Sequence, residues 1–260
     1  MRTFILGAND PEMREIVRVL TEAGEAFAYA RQAGMNVRPR NAYQADGTSE
    51  RLVKGTEVLF VECSVLGLSP AQVFDHHRPG DPGYDCGPAD YVLGSSLGQV
   101  LAFLGKTPTD QQRIICAADH CPDAAYRGEC PGLDVYAFAD WRLASKAAVK
   151  SMSLSEMRAL VDEQHVRLRA AERIDVAGVS VAWLPDASDE APDASARYGI
   201  PFMYRKMEPD GREKFGILGA PPHAIEAWMA SCGLENVYGT PSRGYAGGYR
   251  SFLSFAGNEE

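Results

Sequence analysis

Between residues 4 and 30 the chain runs through a short apolar stretch, a glycine turn, a capped amphipathic segment and a second apolar stretch. That order restricts the fold more than any other feature. Phe4-Ile5-Leu6 reads as a strand closed by Gly7. Asn9 or Asp10 is placed to cap a helix whose first residue is Pro11, where the missing N–H costs nothing. Ile16, Val17, Val19 and Leu20 form an apolar face, Gly24 ends the helix, and residues 26–30 read as a second strand. Strand, helix and strand in that order make a βαβ unit, which implies a parallel sheet.

The pattern continues downstream. Val58-Leu59-Phe60-Val61 is a continuous apolar run, expected of a strand buried on both faces, and it ends at Glu62-Cys63-Ser64. Ala71-Gln72-Val73-Phe74 predicts another strand that leads into Asp75-His76-His77. A loop rich in glycine, proline and aspartate follows, over residues 78–90. Ser95-Ser96 then caps a helix through Val100, Leu101 and Leu104, closed by Gly105. Residues 113–118 predict one more strand, ending at Asp119-His120. Polar residues thus recur just past strand carboxyl ends, the edge at which open α/β sheets bind ligands.

Beyond about Leu133 the texture changes. A helix is predicted over residues 136–149, and a second begins at Ser153, where Ser153-Leu154-Ser155-Glu156 has the form of a capping box. Met157, Leu160, Val161 and Leu168 give it an apolar stripe, and the pair reads as a connector. From about Asp175 a small α+β domain is expected. Val179, Val181 and Trp183 alternate as in a strand, and residues 186–193 read as an acidic, mobile loop. Pro209-Asp210-Gly211 marks a hairpin, a helix runs from His223 to Cys232 with Gly233 as its stop, and residues 251–255 read as a closing strand before a frayed Asn258-Glu259-Glu260. The expected class is therefore α/β: a parallel-sheet domain over 1–135, a helical connector over 136–174, and a smaller α+β domain over 175–260.

Composition narrows the functional classes. Over 260 residues, 45% are hydrophobic and 23% charged, which suits a globular chain with a real core. The net charge of −9 disfavours indiscriminate nucleic-acid binding but not a small anionic substrate held by a cation. No run approaches the roughly 20 apolar residues that span a bilayer, and Met1 to Gly7 is too short for a signal peptide. The six irregularly spaced cysteines suggest reduced thiols in a cytoplasm. His120, Cys121 and Cys130 lie close in sequence, but without a C-x-x-C pair buried free cysteine is preferred to a zinc site.

Asp75-His76-His77 is the most specific candidate site. Imidazole and carboxylate together suit Mn²⁺, Fe²⁺ or Zn²⁺, and a neighbouring imidazole can meet a phosphoryl oxygen. Glu62, Asp119 and His120 are expected to converge on it from two other strand ends. A hydrogen-bonded structural cluster is the open alternative. Tyr126 and Arg127 either grip a base or phosphate or pin their own loop. Arg243 with Gly247 and Gly248 suits either an anion site or a tight turn.

Phe74-Asp75-His76-His77, followed by Gly94-Ser95-Ser96-Leu97-Gly98-Gln99-Val100, resembles the third motif of the DHH phosphoesterase superfamily, where Asp-His-His precedes a Ser-Ser or Ser-Thr helix start. The strand ending in Glu62-Cys63-Ser64 looks like its second motif, and Ile114-Ile115-Cys116-Ala117-Ala118-Asp119 like its fourth. Arg243-Gly244-Tyr245-Ala246-Gly247-Gly248 is similar to the substrate-binding element of the associated DHHA1 domain. The resemblance implies a two-domain hydrolase of phosphodiesters or phosphoanhydrides in nucleotide-like or short oligonucleotide substrates, using one or two divalent ions, most often Mn²⁺. It implies chemistry centred on Asp75, His76 and His77. Glu62, His76 and Asp119 would hold metal, His77 would contact phosphate, and Asp75 would orient the histidines.

The first motif departs from that family. Ala8 stands where histidine is usual, and Glu12 and Arg14 where aspartates are. One metal position would then be absent or rebuilt from Asn9, Asp10 and Glu12, with Arg14 holding phosphate in its place. Further substrate contacts would come from His120, Arg127, Arg243, Gly247 and Gly248. Two other readings stay open: a degenerate scaffold that binds nucleotide without hydrolysis, and a nucleotide- or DNA-modifying enzyme using the same pocket. No membrane partner is expected, and a homodimer stays open.

Overall fold

The computed structural model describes residues 1–208 and 211–250. The fold is α/β and divides into two compact units, Met1–Phe138 and Ala139–Glu260. No helix is long and apolar enough to cross a membrane, among the described residues.

The first unit opens with β1 (Arg2–Leu6), α1 (Pro11–Ala23) and β2 (Ala26–Gln32), the βαβ unit read from the sequence. Asp10 is the cap: its side chain accepts from the Met13 N–H at 2.7 Å, and Gly24 closes the helix in the left-handed region. Two short strands, β3 (Met35–Asn36) and β4 (Gly47–Thr48), add antiparallel pairing to β2. Then come β5 (Glu57–Val61) and β6 (Gln72–Phe74). β2, β1, β5 and β6 lie side by side in parallel, with Phe4 opposite Phe27 and Leu59. Chain order reverses between β1 and β5, the switch point at which such sheets open a crevice beyond their carboxyl ends.

Side chains alternate across this sheet. Ile5, Ala28, Val58 and Phe60 pack on one face with Val37, Ala42 and Val65. On the other, Phe4 stacks on Phe74 at 5.9 Å, and both meet the edge of Phe103. Phe103 ends α3 (Ser96–Phe103), which follows the short α2 (Tyr91–Gly94) and is capped by Ser95. The Asp-His-His segment and the Ser-Ser helix are thus joined through one aromatic cluster.

Residues 113–118 are not a strand. They lie inside α4 (Asp110–His120), and α5 (Pro122–Tyr126) follows. A short apolar run does not separate strand from helix by itself, and the deciding signal lies upstream. Thr109 caps the helix and Gln112 answers it, a capping box that commits the run to helix. Asp119 and His120 therefore arrive from a helix end.

The second unit contains most of α6 (Val135–Val149), then α7 (Leu154–Ala170) with the expected Ser153 capping box. Leu143 and Ala147 of α6 and Met157, Val161 and Leu168 of α7 share one core with Ala182, Leu184 and Phe202. The helices read as a connector thus contribute to that core. Strands β7 (Arg173–Val176) and β8 (Val179–Trp183) precede α8 (Ala191–Tyr198). After it come β9 (Phe202–Met207), β10 (Glu213–Leu218), α9 (Pro222–Ser231), β11 (Glu235–Thr240) and β12 (Tyr245–Arg250). The sheet order is β11-β12-β10-β9-β8-β7, antiparallel except between β8 and β9. Pro209 and Asp210 of the expected turn lie outside the described residues, as do the closing strand and tail expected over residues 251–260.

Residues 186–193 are not a free acidic loop. Glu190 and Asp193 are buried, and Asp193 receives Arg142 at 2.8 Å and pairs with Lys146, while Glu190 pairs with Lys150. Its acidity is matched by three cations spaced four residues apart, Arg142 and Lys146 on α6 and Lys150 just past its end, a pairing across about 40 to 50 residues that local composition does not disclose. Burial alone pushes the Asp193 carboxyl up, but the Arg142 and Lys146 charges outweigh it and hold the group below its ordinary value. All three tryptophans, Trp141, Trp183 and Trp228, lie in this unit, so their fluorescence reports its unfolding. Asp193→Asn is expected to lower stability by roughly 3 kcal/mol in urea titrations, the low end for a broken buried pair because both cations reach solvent. A native pKa below the unfolded one means the wild-type margin is complete above about pH 4 and is lost as pH falls through the depressed value. Equal urea midpoints at pH 7 would contradict this.

Candidate metal centre

Three segments of the first unit meet at one buried place. β5 ends at Val61, and Glu62 then takes φ +50°, a left-handed conformation that costs a non-glycine residue about 1 kcal/mol or more. The turn carries the chain out of the sheet, and the Glu62 N–H still donates to the Phe74 carbonyl at 3.1 Å. Gly7 closes β1 against the same turn, and a side-chain carbon there would strike the Glu62 carbonyl oxygen. The second segment is Asp75-His76-His77 beyond β6. The third is Asp119-His120 at the end of α4.

Asp75 organises the histidine pair. It is fully buried, and its Oδ1 accepts from the His76 N–H at 2.7 Å, the His77 N–H at 3.1 Å and the His77 ring Nδ1 at 2.9 Å. Its Oδ2 accepts the Tyr43 hydroxyl at 2.9 Å. Gln99 clamps its backbone from both sides, accepting from the Asp75 N–H and donating to the Asp75 carbonyl. Burial works against charge on Asp75, but these donors, His77 foremost, hold its pKa below the ordinary value. With Nδ1 committed to Asp75, His77 presents Nε2, and its side chain is 45% exposed.

His76 is completely buried. Its Nε2 stands 2.8 Å from Asp119 Oδ2 and 3.6 Å from Glu62 Oε1. Neither of those oxygens has a directed hydrogen bond. Donor atoms that share a space without pointing at one another are the arrangement a cation requires. Glu62, His76, His77 and Asp119 each offer one ligand atom, all within 4.8 Å of one another, so the group can hold a metal ion. Mixed imidazole and carboxylate donors suit Mn²⁺, Fe²⁺ and Zn²⁺.

Protons gather at the same place. Burial lowers the His76 pKa, but Asp119 and Glu62 at short range carry it to about 9. Burial would raise Asp119, yet His76 outweighs it and holds Asp119 well below the usual carboxylate range. Burial and the charges of Asp119 and Glu62 push Glu12 well up, and burial with Glu62 and Asp119 brings Asp10 to about 7. Both first-motif acids are therefore near the centre, though each also serves the scaffold. Asp10 caps α1, and Glu12 Oε1 accepts from the Leu97 N–H at 2.9 Å.

The other sequence candidates are placed differently. His120, expected at the substrate, is buried, with Nδ1 against His76 and Nε2 on the Cys86 carbonyl. Arg14 is exposed on α1, and Ala8 is buried at the end of β1. Arg127 pairs with Glu129 at 2.7 Å, and Tyr126 meets the edge of Phe138 of α6 at 4.9 Å. Gly247 and Gly248 are neither anion loop nor turn but lie within β12, opposite Gly216 and Phe215; Tyr238 lies over Gly247, where a side-chain carbon would collide with its hydroxyl. Arg243 precedes β12, with its guanidinium 5.7 Å from the Tyr245 ring centroid. Cys121 and Cys130 are buried free thiols, their sulfurs 3.4 Å apart. Tyr43 was missed, since nothing local links it to a residue 32 positions on. Gln99 was legible only as part of the Ser-Ser helix.

No family model and no curated protein matches the chain. Among solved structures, a pGpG-specific phosphodiesterase, PggH from Vibrio cholerae, aligns over 97% of this chain and 94% of that chain at 9% identity, with a TM-score of 0.43. A likeness at that level assigns no activity to this chain.

With His76 near 9, its ring carries an extra proton at pH 7 that a metal at Nε2 must displace. Titration calorimetry with Mn²⁺ in buffers of different ionisation enthalpy is expected to show about one proton released per ion at pH 7. Affinity should rise with pH and level off above about 9, where the proton is already gone. Binding without proton release would show that Nε2 is not a ligand.

Proposed function

We propose that the protein is a metal-dependent phosphoesterase that hydrolyses a phosphodiester or phosphoanhydride in a nucleotide-like substrate. The observation that carries this reading is the group Glu62, His76, His77 and Asp119, with its four ligand atoms within 4.8 Å and two of its carboxylate oxygens buried without hydrogen bonds. The order of motifs that resembles the DHH superfamily supports it independently. One such group occurs among the described residues, so one ion is proposed, with Mn²⁺ the preferred metal.

Glu62, His76 and Asp119 would hold the ion from the buried side. A divalent cation in that position makes a water acidic enough to attack and offsets the charge that develops on phosphoryl oxygens. His77, half-exposed and held by Asp75, would meet the phosphate. Tyr43 fixes the far oxygen of Asp75, so the orientation of the imidazole does not depend on solvent. Arg78 stands 3.7 Å from the Tyr43 ring centroid and brings a guanidinium to the same edge, where a phosphate would need charge.

Phosphate or mononucleotide release from pyrophosphate, linear dinucleotides and cyclic dinucleotides is expected with Mn²⁺ and is abolished by chelation. Asp119→Asn is expected to reduce turnover on the order of 100-fold or more, because removing a ligand exceeds the loss from removing a ligand's hydrogen-bond partner. Ala8, buried where the family has histidine, favours a second reading: nucleotide binding without hydrolysis. Ligand-raised thermal stability with no turnover on any of these substrates would establish that reading and end the first.

A further inference from the structure

His120 was expected at the substrate, and the structure puts it behind the metal site. It is 1% exposed and lies in ring contact with His76, the centroids 5.2 Å apart. Its Nε2 is 2.9 Å from the carbonyl oxygen of Cys86, and its Nδ1 is 3.1 Å from Nδ1 of His76. The ring occupies space made for it. A side-chain carbon at Gly94 would collide with three of its atoms, so a glycine at that position is a condition of the arrangement.

The direction of these bonds follows from chemistry. A backbone carbonyl only accepts, so Nε2 of His120 carries a proton. In a neutral imidazole the other nitrogen is then an acceptor, and it faces Nδ1 of His76. His76 must donate from Nδ1, which leaves Nε2, facing Asp119 Oδ2 and Glu62 Oε1, as the position that holds either the extra proton or the cation that displaces it. Starting from the other end gives the same result. A cation held at Nε2 of His76 leaves its proton on Nδ1, and that proton needs an acceptor. His120 is one only if its own proton sits on Nε2, where the Cys86 carbonyl receives it.

We infer that His120, backed by the Cys86 carbonyl and housed by Gly94, is a positioning residue that selects the metal-binding tautomer of His76. The inference rests on the metal reading given above. Metal-bound histidines generally donate their second ring nitrogen to an outer partner, which fixes ring orientation and tautomer. Here the partner is a second histidine, and the chain of donors ends on a backbone oxygen that does not titrate. The terminus belongs to the loop after Asp-His-His, whose Gly83 N–H also returns to the Asp75 carbonyl at 2.9 Å. Two separate bonds therefore tie that loop to Asp75 and His120, the residues that back His77 and His76.

The test combines imidazole ¹H–¹⁵N correlation spectra of the wild-type chain with calorimetry of two variants. In the Zn²⁺-loaded wild type, His120 is expected to carry its proton on Nε2 and His76 on Nδ1. His120→Leu keeps bulk but removes the acceptor, and it is expected to weaken Mn²⁺ and Zn²⁺ binding about 10–100-fold. His120→Asn should stay close to wild type, because its amide oxygen can take the place of Nδ1. Thermal melting of the metal-free proteins checks that both variants fold. A His120 proton on Nδ1 would overturn the inference, as would a folded Leu variant that binds as tightly as wild type or an Asn variant as weak as Leu. If the Leu variant does not fold, the wild-type spectra decide. A wild type that takes up no cation would sink the metal reading and the positioning role together. Normal uptake with an indifferent Leu variant would sink the positioning role alone.

Discussion

Carboxylates crowd His76 beyond what a buried site tolerates without positive charge. Glu62 and Asp119 face the ring directly, and the charges of Glu62 and Asp119 in turn push Glu12 and Asp10 upward. In a medium of low dielectric such a group must gather protons or a cation. The surrounding backbone supplies part of the compensation. Asp10 sits on the N-terminus of α1, and Glu12 accepts from the first turn of α3, so two helix starts turn their N–H groups toward the acids. Asp119 is at the opposite kind of position, the C-terminal turn of α4, where the helix adds negative potential. The imbalance is local to His76, which is where a cation would resolve it.

The two histidines of Asp75-His76-His77 are adjacent in sequence and opposite in environment. His76 turns inward and is held from behind by His120; His77 turns outward and is held from behind by Asp75. Each ring commits Nδ1 to a buried partner and keeps Nε2 for the site. The pair can be set this closely because Asp75 binds both backbone N–H groups while Gln99 fixes its own backbone. Positional precision at the site therefore derives from α3 and the loop before it as much as from the sheet. That suits a centre in which donor spacing decides what binds.

The second unit shows the same economy in its use of charge and space. Asp193 is buried only because Arg142 and Lys146 reach it from α6, which makes the helical middle part of that unit's core. Its glycines serve packing: Gly247 admits Tyr238, and Gly216 on the adjoining strand admits Tyr204. The glycine-rich run is a strand because its N–H and C=O groups meet neighbours on both sides, and not a loop presenting them to an anion.

Elements with strong local signals were legible in the sequence. The βαβ start, a cap just before Pro11, the Ser153 capping box and the apolar run at 58–61 each carry their own physics within a few residues, and each formed as read. The convergence of Glu62, Asp75, His76, His77 and Asp119 was legible as well, since each lies at or just past the end of a regular element. Residues 113–118 were misread because strand and helix make the same short apolar run, and the Thr109–Gln112 box that separates them lies before it. The role of His120, the partnership of Tyr43 with Asp75, the burial of Asp193 and the strand at 245–250 depend on residues five to fifty positions away. Hydrogen-bond direction and desolvation are set by what packs against a group. Sequence alone determined which chemistry was assembled, and the tertiary structure decided which atom of each residue is available to perform it.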